Sequence, residues 1–62
     1  MNTYEITVTT GNPLNPQDKI YVDADTYIKD SKRKEYQFKI DRKVVLRLEI
    51  DKVMVIQVKR ST

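Results

Sequence analysis

Apolar residues fall on every second position through most of this chain. The beat runs Ile20, Val22, Ala24, Thr26, Ile28, then Tyr36, Phe38, Ile40, then Val44, Leu46, Leu48, Ile50, and finally Met54, Ile56, Val58. Successive side chains of a strand point to opposite faces, so period two marks strands with one buried face. The pattern predicts an all-β protein with strands over residues 4–10, 19–29 and 35–40 and two more on either side of residues 51–53. The competing reading is a helix across residues 44–58; its match to period 3.6 is poor and its Val and Ile content is high for a helix.

The first strand sets Tyr4, Ile6 and Val8 on one face and Glu5, Thr7 and Thr9 on the other. Residues 11–18 (GNPLNPQD) read as a loop, because prolines cannot donate to a sheet ladder and Asn and Gly favour turns. Gly11 is the only glycine, which argues against tight type I′ turns and for hairpin loops of three residues or more. The long second strand is expected to bend, with Ile20, Val22, Ala24, Thr26 and Ile28 inward and Tyr21, Asp23, Asp25, Tyr27 and Lys29 outward.

Register follows from keeping the apolar set on one face, since a one-residue slip reverses every side chain. A five-residue turn at 30–34 sets Ile28 opposite Tyr36, Thr26 opposite Phe38 and Ala24 opposite Ile40, with Lys29–Glu35 and Asp25–Lys39 as wet-face ion pairs. A three-residue loop at 41–43 pairs Ile40 with Val44, Phe38 with Leu46 and Tyr36 with Leu48, leaving Glu35 opposite Glu49. A similar link at 51–53 pairs Ile50 with Met54, Leu48 with Ile56 and Leu46 with Val58, and turns Val45, Val53 and Val55 away from the core. The expected architecture is one domain over residues 1–62, a five-stranded antiparallel meander or partly closed small barrel of SH3-like or Sm-like type.

Composition narrows the chemistry. A chain of 62 residues buries only about 60% of its unfolded surface, so its stability is expected to be marginal. With no cysteine and no histidine, neither disulfides nor a zinc site reinforce it, which leaves self-association or a partner. Nucleophilic catalysis lacks a histidine or cysteine, a phosphate-binding loop lacks glycines, and the Asp23/Asp25 pair lacks the rest of a calcium loop. The chain is expected to be non-enzymatic, with no cofactor and no metal. No signal-like or membrane-spanning run is present in it, and cytoplasmic residence is the default expectation.

Charge is unevenly spread within the net +3: residues 1–28 hold one base against four acids, residues 29–62 eleven bases against five acids. The bases fall into two groups at opposite ends of the expected sheet, Lys32, Arg33, Lys34 and Lys52 at one and Arg42, Lys43, Lys59 and Arg60 at the other. Two functions remain. The favoured one is a basic binding module acting by protein–protein contact or homo-oligomerisation, through outward Tyr21, Tyr27, Val45 and Val55 and the long loop. The alternative is single-stranded RNA or DNA binding, with tyrosines as stacking platforms and Lys32, Arg33, Lys34, Lys39, Arg42, Lys43 and Arg47 as phosphate contacts. Asp23 and Asp25, between the two tyrosines, weigh against the second.

Overall fold

The computed structural model describes residues 1–61. Six strands succeed one another: β1 (Asn2–Asn12), β2 (Asn15–Ala24), β3 (Thr26–Asp30), β4 (Glu35–Ile40), β5 (Lys43–Glu49) and β6 (Val53–Ser61), with one 3-10 turn, Ile50–Lys52, before the last. They form two three-stranded antiparallel sheets, β2-β1-β6 and β3-β4-β5. The all-β class is therefore observed, as a small domain of two sheets rather than a five-stranded meander.

The expected 19–29 strand is two strands. They meet at Asp25, where the chain leaves one sheet for the other. Every polar part of that residue works as a tie: its N–H donates to the Lys39 carbonyl at 2.9 Å, its carbonyl accepts from Asn2 Nδ2 at 3.3 Å, and its carboxylate accepts the Asp41 N–H at 3.2 Å. The break also shifts the register of the next hairpin by one. Tyr27 lies opposite Phe38, Ile28 opposite Gln37 and Lys29 opposite Tyr36. Neither expected ion pair, Lys29–Glu35 nor Asp25–Lys39, is opposed across the strands; Asp30 faces Glu35 instead. Tyr27 turns inward and Ile28 outward, the reverse of the expectation.

The turn at Asp41–Arg42 is a two-residue one, with φ of 51° and 69°. Positive φ at both central residues is the requirement of type I′, met here without glycine. The register is kept by a bulge: Lys39 faces Val44 while Phe38 faces Leu46, which leaves Val45 as the extra residue. Phe38–Leu46, Tyr36–Leu48 and Glu35–Glu49 are opposed as expected.

The expected final hairpin does not form. β6 crosses to pair with β1, so that Ile56 faces Ile6 and Val53 faces Val8, and β5 and β6 share no ladder. Two bulges, at Met54 and Lys59, let β6 follow the twist of β1. Val53 thus packs against the core, while Met54 stands out, both opposite to expectation.

Between the sheets lies a core of Tyr4, Ile6, Ala24 and Phe38, with Val8, Ile20, Val22, Tyr36, Ile40, Leu46, Leu48, Val53 and Ile56 packed around it. Four of the five aromatic rings meet there: Tyr4–Tyr27 at 5.4 Å, Tyr4–Phe38 at 5.5 Å, Tyr27–Phe38 at 5.3 Å and Tyr27–Tyr36 at 6.2 Å. Three of these contacts are edge-to-face, the geometry ring quadrupoles favour. The buried Tyr4 hydroxyl is satisfied by accepting from Asn2 Nδ2 at 3.0 Å.

Candidate partner-binding surface

The stretch expected to be a loop is a projecting ribbon. β1 runs on to Asn12 and β2 starts at Asn15, leaving only Pro13 and Leu14 in the turn. Both prolines fit a ladder for local reasons. Pro13 opens the turn, and Pro16 lies on an edge strand where the register shifts between Thr9 and Asn12, so that its missing N–H leaves no bond unmade. Gly11, at φ 74°, supplies the left-handed residue of that irregularity.

Residues 9–19 of this ribbon are all exposed. A two-stranded ribbon with no packed face is marginal in water, so its tip is braced by side chains. Thr10 Oγ1 donates to the Asn15 carbonyl, the Asn12 N–H donates to Thr10 Oγ1 at 3.1 Å, and the Leu14 N–H donates to Asn12 Oδ1 at 3.0 Å. Those bonds hold out Leu14, which is 95% exposed. Residues 6–17 contain no charged side chain. Beside the ribbon, Thr9, Gly11, Asn12, Pro13, Pro16, Gln17 and the half-exposed Met54 line an open hollow of about 430 Å³.

The outer face of the β2-β1-β6 sheet centres on Glu5. It is only 7% exposed although it faces away from the core. Tyr21 donates to Glu5 Oε2 at 2.9 Å, and Lys19 and Lys59 approach its carboxylate at 3.6 and 3.9 Å. The Tyr21 hydrogen bond, aided by the two ammonium groups, holds the Glu5 carboxyl below the usual range in spite of its partial desolvation. The same bond raises the Tyr21 hydroxyl above the usual tyrosine value, because ionising Tyr21 would forfeit it and oppose the carboxylate. Both shifts favour one state, an ionised Glu5 under a neutral Tyr21.

The sequence-predicted contact residues do not form one patch. Tyr21 and Val55 share the outer face of one sheet, Val45 lies on the other sheet, and Tyr27 is in the ring cluster. Lys39 and Arg47 are on the sheet that lacks Tyr21, so the stacking platform expected from Tyr21 and Tyr27 with those bases is not assembled. Of the two expected basic groups, the second loses Lys59, which meets Glu5 on the outer face of the β2-β1-β6 sheet. Arg33, Arg47 and Lys52 are matched by Asp30, Glu35 and Glu49 at 3.9, 3.4 and 3.8 Å, and Lys32 and Lys34 share their turn. Lys39, Arg42, Lys43 and Arg60 make no ion pair among the described residues. Residues 11–18, expected from the sequence to be a contact loop, are exposed as a ribbon instead; the residue that sequence reasoning did not single out is Leu14, a lone leucine between two prolines in a run of uncharged residues.

Among the described residues no group of three or more Asp or Glu is placed to hold a metal ion, and no helix is long and apolar enough to cross a membrane. No family model, no curated protein and no solved structure matches the chain significantly.

Proposed function

We propose that this domain is a non-enzymatic binding module that takes hold of a protein partner in the cytoplasm, with the β1–β2 ribbon as its contact element. The observation that supports this is Leu14, held almost wholly in water at the tip of a turn whose own side chains brace it. An apolar residue set out on a pre-ordered support loses little freedom on binding and gains by leaving water. Pro13, Pro16 and Met54 extend the apolar surface beside it. The ribbon's outer part, residues 9–17, has no base and is poorly suited to phosphate, whose recognition rests on Lys and Arg. For nucleic acid the competing surface is the opposite end, with Lys39, Arg42, Lys43 and Arg60.

The test compares two variants of the immobilised domain for capture of binding proteins before and after nuclease treatment. Leu14→Asp is expected to abolish capture. Arg42→Glu with Lys43→Glu is expected to retain it, with nuclease making no difference. Capture lost with the charge pair or with nuclease, and kept by Leu14→Asp, would replace this reading with the nucleic-acid one.

A further inference from the structure

Each sheet has two edge strands, and two of the four, β2 and β3, carry proline or inward charges that discourage pairing with another chain. β2 carries Pro16 and sets Asp18 in the row of Val8, on the inward side. β3 is five residues long and sets Lys29 in the row of Tyr36 and Leu48, again an inward charge. β6 carries two bulges. β5 has a bulge at Val45, but from Leu46 to Glu49 it is regular, without proline or inward charge. Its inward side chains Leu46 and Leu48 are packed against the core yet remain partly exposed along the free flank.

The outward residues of that regular stretch are Arg47 and Glu49. Glu49 lies opposite Glu35, a like-charge pair of the kind that destabilises a sheet; within the chain Arg47 meets Glu35 at 3.4 Å and Lys52 meets Glu49 at 3.8 Å. A second copy of β5 laid antiparallel about a two-fold axis through Leu48 resolves these features together. Leu48 then meets Leu48 of the second copy, and Arg47 of each chain stands opposite Glu49 of the other; the ladder stops there, because Ile50 opens the 3-10 turn. The register is self-complementary in charge and in apolar face, as an isologous contact must be.

We infer that the free edge of β5 is a homodimer seam, joining two β3-β4-β5 sheets into one six-stranded sheet across two Arg47–Glu49 pairs. The seam is separate from the Leu14 ribbon and goes beyond the partner-binding reading. Sedimentation equilibrium of the whole chain, from micromolar to millimolar concentration, is expected to show a monomer–dimer equilibrium. Glu49→Arg sets Arg against Arg at both ends of the seam, and its dissociation constant should rise about tenfold. The same substitution removes the Glu35–Glu49 repulsion, so the melting temperature of the dilute monomer should be unchanged or higher. Adding Arg47→Glu to Glu49→Arg should restore dimerisation, since the opposite charges are exchanged. Leu14→Asp should leave it unchanged. A chain monomeric throughout that range, a dimer indifferent to Glu49→Arg, or one lost with Leu14→Asp, would each overturn the β5 seam; the last alone would leave the ribbon as a contact surface.

Discussion

The body of the molecule and its ribbon are built on opposite principles. In the body, β1 is held between two strands and its inward Tyr4 packs on Phe38 of β4, and neither Ile6 nor Phe38 has any exposure. From Thr9 onward the same strand is exposed on both faces and is kept in shape by hydrogen bonds between Thr10, Asn12 and Asn15. Apolar burial is worth about 25 cal/mol per Å², whereas an exposed hydrogen bond adds on the order of 1 kcal/mol or less. The body is therefore where stability resides, and the ribbon is where surface is presented.

The sharpest way to break this comparison is a pair of truncations. Phe38→Ala is expected to cost about 3–5 kcal/mol, by lost burial and the cavity left among Tyr4, Tyr27 and Leu46. That is comparable to the whole stability of so short a chain, so its thermal melt should lose cooperativity. Leu14→Ala should leave the melt within about 0.5 kcal/mol of the parent. Equal effects from the two, measured by circular dichroism, would mean that the ribbon is part of the core.

Backbone strain offers a second, smaller contrast. Arg42 has a side chain at φ 69°, where glycine is at ease. Arg42→Gly should raise stability by about 0.5–1 kcal/mol, even after the greater freedom of glycine in the unfolded chain is counted. Gly11→Ala does the reverse at φ 74°, with no neighbour within 4 Å of the added methyl to blame. Its cost, about 1 kcal/mol, should appear as faster amide exchange within the ribbon while the global melt barely moves.

The smallest effect is one of slope. The Glu5 carboxyl is held below its unfolded value, so its contribution to stability is present above the ordinary carboxylate range and is lost as pH falls through the lowered folded value. Glu5→Gln should flatten the acid limb of a stability–pH curve in that window. Tyr21→Phe should flatten it in part and also remove a dependence at alkaline pH, where a raised tyrosine loses stability on ionising. Residues 6–17 have nothing to titrate, so ribbon amide opening should not follow the acid limb. A ribbon that loosens in step with Glu5 protonation would show that the two regions unfold together.

The fold class and much of the core were legible because period two is a property of the chain itself. Tyr4, Ile6, Ala24, Phe38, Leu46 and Ile56 face inward as their spacing implies. Register was lost wherever a single residue changes parity without leaving a pattern. Asp25 does so as a corner and Met54 and Lys59 as bulges, whereas the bulge at Val45 keeps the expected parity across a shorter turn than the sequence suggested. The partner of β6 could not be read from alternation, which records that a face is covered and not which strand covers it. Two prolines in residues 11–18 suggested a loop because their tolerance at an edge bulge and a turn depends on pairing. Of the candidate surface, Tyr21, Val45 and Val55 are exposed as their outward positions imply, while Tyr27, turned onto the ring cluster by the shifted hairpin, keeps 37% of its surface exposed.

Ser61 Oγ donates to Asn2 Oδ1 at 3.0 Å, across 59 positions of sequence. That single adjacency governs the order in which the molecule can assemble. The β3, β4 and β5 strands are neighbours along the chain and need only short loops closed, so their hairpins can form within microseconds. The sheet centred on β1 must wait for its last strand to return from the far end, and closing so long a loop is entropically costly before any contact repays it. Until then β1 stands with one flank open, as an incomplete sheet. The interval between the two events is when this chain is most exposed to mispairing.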